Sequence, residues 1–425
     1  MRRKTIVTLL MALAITSLTA CGKEEAPIEV EVVETPEVVE PEEWESLEVS
    51  TLMNTYFRQL AQLEQDVYKQ VLYELNNGNN TIAMCRGLDL KGVDNVVKSL
   101  NYDHPEIFWI TGNYTVEGDT IILETNSLAE NLEENKSKFN EAVEKMLEDV
   151  YFPYKADDYI KERLVHDKLL NNLEYEDTEL GYTAYEALVN GKASCGGYSK
   201  AFQLLMQESG VPCYYSVGRL YQNGKTTEHA WNAIRLGNDH YYVDVTLNDT
   251  VLEKFGAISY EFYNLNSEDT KDTYTRNSMS LGLPAIVGTE LKYEEIYGES
   301  CAKGTIKELG LDNSYIVDDL DEFTKYMVEN LNNNGLGEHK IRVIVSSEEL
   351  NNEAHYALKV KLQEYLDKLD ELNGKGWNQI AIESEAYSLG DGHYLLEIET
   401  ELVYNEPPKV EETHKVESGW GTGGW

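Results

Sequence analysis

A cysteine, a histidine and an aspartate follow one another within a short stretch of this 425-residue chain. Cys195 lies at the start of a predicted helix, His229 on a predicted strand, and Asp244 on the strand that follows. A thiol nucleophile needs a nearby base, and the base needs an acceptor that fixes its tautomer. The three residues could therefore perform acyl transfer on an amide, provided that the local structure brings them together.

Cys195 is predicted to occupy the first turn of a helix. Ser194 is a favourable N-cap residue, and apolar residues recur with helical spacing over 198–205. Free N–H groups and the helix dipole favour a thiolate at such a position. We expect Gly196 and Gly197 to leave the sulfur unshielded and to let a substrate backbone approach.

His229 and Asp244 are predicted to lie side by side on a hairpin. Residues 228–236 and 239–247 are rich in β-branched and aromatic residues, and Gly237-Asn238 between them is a type II′ turn signal. Counting back along both strands from this turn makes His229 the diagonal neighbour of Asp244, roughly 7–8 Å away at the backbone. The carboxylate could hold one imidazole nitrogen and leave the other for the thiol. The competing interpretation is that the cysteine and histidine are ordinary core residues.

Three sequence blocks around these residues resemble the motifs of the bacterial transglutaminase-like superfamily, which has a papain-like core. The blocks are LVNGKASCGGYS, EHAWNAI and YYVDVT. The flanking segments DHPEIFWI, VHDKLLNNLEYE and FYNLNSED also resemble such proteins, so the likeness covers roughly residues 103–297. It implies Cys195 as nucleophile, His229 as general base and Asp244 as the orienting acid.

The resemblance also implies an α+β fold. A helix bearing the cysteine would pack on an antiparallel sheet bearing the histidine and the aspartate. Residue patterns separately predict an N-terminal helical and hairpin region before this core and a small C-terminal α/β domain after it. The sequence departs from the family at two places. Gly196 stands where the family often has Gln or Glu, and Leu247-Asn248 stands where it often has Trp-Asp. Both departures affect the predicted substrate pocket more than the three central residues.

Composition and residue patterns divide the chain into six predicted parts. These are a lipoprotein signal peptide at 1–21, an acidic Pro/Glu/Val linker at 22–48, an N-terminal helical region with a hairpin at 49–150, a transglutaminase-like catalytic domain at 151–300, a C-terminal α/β accessory domain at 301–408, and a disordered tail at 409–425. Within them, residue patterns predict a helix over 52–75, a strand over 107–111, and a C-terminal order of strand, helix, strand, helix and a closing hairpin whose first strand is 380–383. We expect Asn232 to point to the opposite face from His229, and Phe108, Trp109 and His166 to be packing residues rather than ligands.

The first residues have the pattern of a bacterial lipoprotein signal. A basic segment over 2–4 and an apolar run over 5–18 precede Leu18-Thr19-Ala20-Cys21, which resembles a lipoprotein cleavage site. We expect the mature chain to start at Cys21, which would carry the lipid. The protein would then be anchored to the cell membrane on its extracytoplasmic face, and the self-repelling linker would extend away from it.

The formal charge of −40 makes nucleic acid and anionic lipid poor partners. The sequence contains no HExxH, CxxC, Walker loop or dinucleotide fingerprint, so we predict neither a metal nor a cofactor. Of the five cysteines, Cys85, Cys213 and Cys301 could form one disulfide at most. We expect Cys213 to be a packing residue.

The leading functional hypothesis is a thiol enzyme that acts on peptide or protein amides, cell-wall peptides among them. Hydrolysis is slightly favoured over cross-linking, because water needs no second binding site. The alternative is a non-catalytic surface lipoprotein that uses the papain-like core for binding, and the 29 tyrosines would suit its adaptable contacts. A purely structural spacer lipoprotein ranks last, since it leaves the predicted His–Asp register unexplained.

Overall fold

The structure, a computed structural model, describes residues 43–84, 86–148, 157–222, 224–311, 316–334, 337–360 and 377–404. Its α-helices are α1 (Thr55–Gln59), α2 (Gln62–Asn76), α3 (Leu90–Asp103), α4 (Leu132–Leu147), α5 (Asp158–Leu170), α6 (Cys195–Glu208), α7 (Val245–Phe255), α8 (Tyr293–Tyr297), α9 (Cys301–Glu308), α10 (Leu320–Asn334) and α11 (Glu348–Val360). Its strands are β1 (Thr81–Ala83), β2 (Ile110–Glu117), β3 (Thr120–Thr125), β4 (Glu174–Tyr175), β5 (Lys192–Ala193), β6 (Cys213–Gln222), β7 (Lys225–Leu236), β8 (Asp239–Val243), β9 (Tyr274–Arg276), β10 (Ile316–Val317), β11 (Gly337–Val345), β12 (Trp377–Gly390) and β13 (His393–Tyr404). The predicted signal peptide, Cys21, nearly all of the linker and the predicted tail lie outside the described residues.

The central sheet is antiparallel and has the order β8-β7-β6-β9. Strands β7 and β8 form the predicted hairpin, in which Leu236 pairs with Asp239 and Asn232 with Val243. Gly237 in the turn has a φ of 60°, the left-handed conformation that the first central residue of a type II′ turn requires. The predicted turn position and strand register are confirmed.

Helix α6 packs on one face of this sheet. The apolar residues of α6 over 198–205 lie on one side of the helix, because residues three and four apart point the same way. This apolar stripe is buried throughout. The stripe and the strand residues that it packs with belong to one core, which includes Tyr198, Ala201, Phe202, Leu205, Cys213, Ile234 and Val243. The cysteine at position 213 is therefore a packing residue, as predicted.

Helices α1 to α4 and the sheet β1-β3-β2 share a second hydrophobic core, which contains Phe108 and Trp109 as predicted. Two boundaries differ from the sequence-based prediction. The helix predicted over 52–75 is two helices, because the chain is extended at Leu60 and the Glu64 carboxylate accepts the Ala61 N–H at 2.8 Å to cap α2. The strand predicted over 107–111 starts later, since β2 begins at residue 110.

The C-terminal elements follow the predicted order of strand, helix, strand, helix and hairpin. They form a sheet of order β10-β11-β13-β12, in which β10 and β11 are parallel. Helices α10 and α11 pack on one face of it, against residues such as Ile341, Val343 and Leu396. Strand β12 extends to Gly390, beyond the predicted end at Glu383. The domain boundaries proposed from the sequence stay predictions.

Among the described residues, Cys195, Cys213 and Cys301 are free thiols, and Cys21 and Cys85 lie outside these ranges. Over the same residues, no helix has the length and apolar character that crossing a membrane requires.

Gly197 allows α6 to approach the chain that precedes it. A Cβ atom at this position would lie 2.3 Å from the carbonyl oxygen of Gly181 and 3.0 Å from that of Thr183. Both Gly196 and Gly197 are buried. The expectation that these glycines unshield the sulfur is therefore wrong for Gly197, whose lack of a side chain serves backbone packing.

Replacement of Gly197 by alanine should destabilise the protein by roughly 1–3 kcal/mol, because backbone atoms must shift to admit the methyl group. The measurement is urea unfolding at equilibrium. Gly87→Ala is the control, since Gly87 is exposed and the nearest atom to its added Cβ lies 4.0 Å away. Equal stability of the two variants would contradict this account of the packing.

Candidate active site

Cys195 is the first residue of α6, and Ser194 occupies the N-cap position as predicted. The chain is held there by the parallel pairing of Tyr175 in β4 with Ala193 in β5, and by the Ser194 N–H, which donates to the Gly181 carbonyl at 2.9 Å. The thiol-bearing residue is partly exposed. This arrangement presents a cysteine to solvent at the start of a helix, where backbone N–H groups are unpaired by the helix itself.

His229 and Asp244 are in direct contact. The imidazole Nε2 lies 2.7 Å from Oδ2 of Asp244, and both side chains are almost fully buried. His229 lies on β7, and Asp244 directly follows β8, so the hairpin register brings them together. Since Nε2 faces the carboxylate, Nδ1 is the ring nitrogen that remains for another partner.

The Asp244 carboxylate has three hydrogen-bonding partners from three elements. In addition to His229, Oδ2 accepts the Tyr274 hydroxyl at 2.7 Å, and Oδ1 accepts the Leu247 N–H at 3.1 Å. The last bond makes Asp244 the N-cap of α7. Its own N–H donates to the Phe262 carbonyl at 2.9 Å. A buried carboxylate is tolerated when its oxygens are satisfied in this way.

The electrostatics of His229 link all three candidate residues. Burial lowers its pKa, but the Asp244 charge, the hydrogen bond to Asp244 and the interaction with the Cys195 thiol outweigh burial and raise the pKa to about 10. The imidazole therefore interacts with the carboxylate and with the thiol. A protonated imidazole beside a thiol can give its proton to a leaving group.

Aromatic rings enclose the imidazole. His229 stacks with Trp231 at 6.2 Å and with Tyr274 at 6.4 Å between centroids, and these two rings lie 4.6 Å apart. Tyr274 belongs to β9, which pairs with β6 at the sheet edge. Sequence reasoning missed Tyr274, because no local signal indicates which sheet this short strand joins.

Asn232 connects the histidine strand to the cysteine helix. Its Nδ2 donates to the Ser199 carbonyl in α6 at 2.9 Å. It therefore points to the helix-bearing face of the sheet, opposite to His229, as predicted. A buried amide that bonds to backbone fixes the distance between the two elements that carry the candidate residues.

A second buried hydrogen-bond network reaches the backbone of Asp244 through Phe262. His166 is fully buried, with Nδ1 2.9 Å from Asp167 and Nε2 3.0 Å from the Asn248 amide. The Asn248 Oδ1 in turn accepts the N–H of Phe262, the residue that bonds to the backbone of Asp244. The prediction of a satisfied core histidine is confirmed. Asn248, where the sequence departs from the family motif, has a structural partner of its own.

No group of three or more His, Cys, Asp or Glu residues within the described ranges could hold a metal ion. The candidate site combines one thiol, one imidazole and one carboxylate with the Tyr274 hydroxyl that bonds to the carboxylate.

Comparison with known families identifies the central segment. Residues 151–245, which include Cys195, His229 and Asp244, match the Transglutaminase-like superfamily. The chain therefore contains a transglutaminase-like domain within a mixed helix and sheet structure. A comparison with curated proteins finds no match.

Three solved structures resemble parts of this chain. A TGase is 16% identical and covers 39% of this chain and 50% of its own, with a TM-score of 0.23. A proposed cysteine protease from Cytophaga hutchinsonii is 16% identical over 25% of this chain and 37% of its own, and a proposed protease from Parabacteroides distasonis is 8% identical over 69% and 56%, both with TM-scores of 0.23. This chain thus spans between 37% and 56% of their lengths. The function of this chain is therefore inferred from its site residues and not from these three structures.

The protonation of His229 should make the stability of the protein pH-dependent. Its pKa rises from 6.5 to about 10 on folding, so its contribution is fully present below pH 6.5 and is lost as the pH rises to about 10. The difference in unfolding free energy between wild type and His229→Ala should therefore shrink over this interval by at least about 1.4 kcal/mol, the equivalent of one pKa unit. Urea unfolding at intervals across this pH range measures it. A constant difference would contradict the coupling.

Proposed function

We propose that this chain is a thiol enzyme that acts on amide bonds of peptides or proteins through a thioester intermediate. Cys195 is the nucleophile, His229 the general acid and base, and Asp244 the group that orients the imidazole. One observation carries the proposal: a buried imidazole is held at 2.7 Å by a carboxylate, and a partly exposed thiol at the start of a helix contributes to raising the pKa of that imidazole. The transglutaminase-like match over 151–245 supports the same chemistry.

In the proposed mechanism, the Cys195 thiolate attacks the amide carbonyl while His229 carries the proton. The imidazolium then protonates the leaving amine, and a thioester forms as the C–N bond breaks. The neutral imidazole next takes a proton from the incoming water or amine, whose oxygen or nitrogen bonds to the thioester carbonyl carbon. The C–S bond then breaks, the acid or new amide leaves, and the Cys195 thiolate is regenerated beside the imidazolium. Asp244 stabilises the imidazolium in both halves of the reaction, without itself accepting the proton.

We propose hydrolysis rather than cross-linking as the fate of the thioester, because water needs no second binding site. The substrate class is peptide or protein, with cell-wall peptides among the candidates. The net charge of −40 favours a neutral or cationic substrate and disfavours nucleic acid.

We further propose that the enzyme works on the extracytoplasmic face of the cell membrane, anchored by lipid on Cys21. The basic, apolar and small-residue pattern of residues 1–21 supports this location.

Replacement of Cys195 by alanine should reduce peptide amide hydrolysis to the uncatalysed background. It should change the unfolding free energy by no more than about 0.5 kcal/mol, because the side chain is partly exposed. The assay is peptide release from a mixed peptide library at pH 7, with incorporation of a fluorescent primary amine as the measure of cross-linking. Retained turnover in the variant would exclude Cys195 as nucleophile.

The matched control uses the other described thiols. Burial raises the pKa of Cys213 and of Cys301, so iodoacetamide should label Cys195 first in the native protein. Peptide mass spectrometry gives the three labelling rates. Equal rates, together with peptide binding that Cys195→Ala leaves intact, would instead support the non-catalytic binding protein.

Replacement of Cys21 by serine should release the protein from the membrane, because the thiol is the proposed lipid attachment site. Wild type expressed in a bacterial host should partition into the detergent phase on Triton X-114 separation, and the variant into the aqueous phase. Cys85→Ser is the control and should partition as wild type does. Aqueous partitioning of the wild type would exclude the lipid anchor.

A further inference from the structure

The proposed reaction places negative charge on the carbonyl oxygen, and one backbone donor rarely suffices to stabilise it. The Cys195 N–H at the helix start is the first donor, and a side chain should supply the second. Of the two tyrosines just upstream, Tyr185 donates its hydroxyl proton to Asn135 at 3.1 Å. The Tyr182 hydroxyl keeps its proton but is held next to Asn126, whose amide donates to it at 3.1 Å.

Tyr215 reaches the cysteine loop from strand β6. Its hydroxyl lies 3.4 Å from the position that a Cβ on Gly196 would occupy, one residue after the nucleophile. Tyr215 is only 8% exposed, and its hydroxyl bonds to no other described residue. The hydroxyl is not among the fully buried polar atoms that lack a partner, so its donor faces solvent-accessible space beside the cysteine loop. The glycine at 196 leaves the space in front of this hydroxyl free.

The ring of Tyr215 is held in place on several sides. Tyr102 packs against it at 5.3 Å between centroids, and the Lys200 ammonium lies 5.7 Å from its centroid. Its backbone carbonyl accepts the Tyr56 hydroxyl at 2.5 Å, and it pairs with Asn232 in β7. A donor fixed before the reaction costs no reorganisation as charge develops.

Among the described tyrosines, the charge of Cys195 is one of the main causes of a raised pKa at Tyr215 and at Tyr175. Burial and, after it, the cysteine charge raise the pKa of Tyr215 and of Tyr175, so both keep their protons and remain donors. Tyr175, however, is 46% exposed and can exchange its hydrogen bonds with water. Tyr175 is therefore close to the thiol but much more exposed than Tyr215. It provides a control for the role of Tyr215.

We propose that the Tyr215 hydroxyl is the second oxyanion donor and acts together with the Cys195 N–H. This inference rests on the proposed function and names a further catalytic residue for it. As the sulfur–carbon bond forms, the π electrons of the carbonyl move to oxygen, and both donors hold that oxygen without transferring a proton. The electrons return when the bond to the leaving group breaks, and His229 gives the leaving group its proton.

The test compares two reactions of the same thiol in the 425-residue chain. Acylation by p-nitrophenyl acetate passes through an oxyanion and releases p-nitrophenolate, whereas alkylation by iodoacetamide displaces iodide from a CH₂ group and develops no oxyanion. Tyr215→Phe should slow acylation of Cys195 by about 10²-fold, the usual effect of removing one oxyanion donor. Alkylation should stay within about twofold of wild type, since the histidine and aspartate are unchanged.

Tyr175→Phe is the matched control and should leave both rates within about threefold of wild type. Cys195→Ala supplies the background rate of ester cleavage. The melting temperature of Tyr215→Phe should equal that of wild type, because no hydrogen bond to the hydroxyl is lost among the described residues. If Tyr215→Phe acylates as fast as wild type, the assignment of Tyr215 is overturned. It is also overturned if the alkylation rate of Tyr215→Phe falls as much as its acylation rate. An acylation deficit in Tyr175→Phe alone would transfer the role to Tyr175. A wild type that alkylates at Cys195 but does not acylate refutes the proposed function, and this inference with it.

Discussion

The buried carboxylate of Asp244 is the interaction on which the rest of the site depends. An ionised carboxylate is costly to bury unless donors replace the lost water. Here the donors are the His229 imidazole, the Tyr274 hydroxyl and the Leu247 N–H, from strands β7 and β9 and helix α7. The Asp244 carboxylate thus orients the proposed base, bonds to Tyr274 in the edge strand β9 and caps helix α7.

Tyrosine hydroxyls connect distant parts of the chain in this protein. The Tyr56 hydroxyl donates to the carbonyl of Tyr215, Tyr198 bonds to Asp249, and Tyr274 bonds to Asp244. Several other tyrosines are among the largest fully buried side chains, including Tyr68, Tyr241, Tyr260 and Tyr263. Among the described residues, 12 of the chain's 29 tyrosines are buried and help to build the interior, where a ring fills space and its hydroxyl can bond across elements.

Local patterns predicted local structure well, and boundaries failed where a capping bond or a distant partner intervened. The hairpin register followed from one turn signal, because a two-residue turn leaves a single way to pair the strands. The split between α1 and α2 did not follow from a local pattern, because it depends on the hydrogen bond from the Ala61 N–H to the Glu64 carboxylate. The role of Gly197 was also misjudged, because a close approach to the Gly181 carbonyl involves a part of the chain that no short-range pattern describes.

The sequence by itself determined the cysteine at a helix start, the histidine and aspartate in one hairpin, and the buried stripe of α6. These features depend on turn chemistry and side-chain periodicity, which act over a few residues. Only the tertiary structure decided that Tyr274 shares the Asp244 carboxylate, that Asn232 fixes the helix to the sheet, and that Tyr215 lies beside the nucleophile. Each of these contacts joins segments between about 20 and 35 positions apart, and the packing of sheet and helix, rather than any local pattern, selects such pairs.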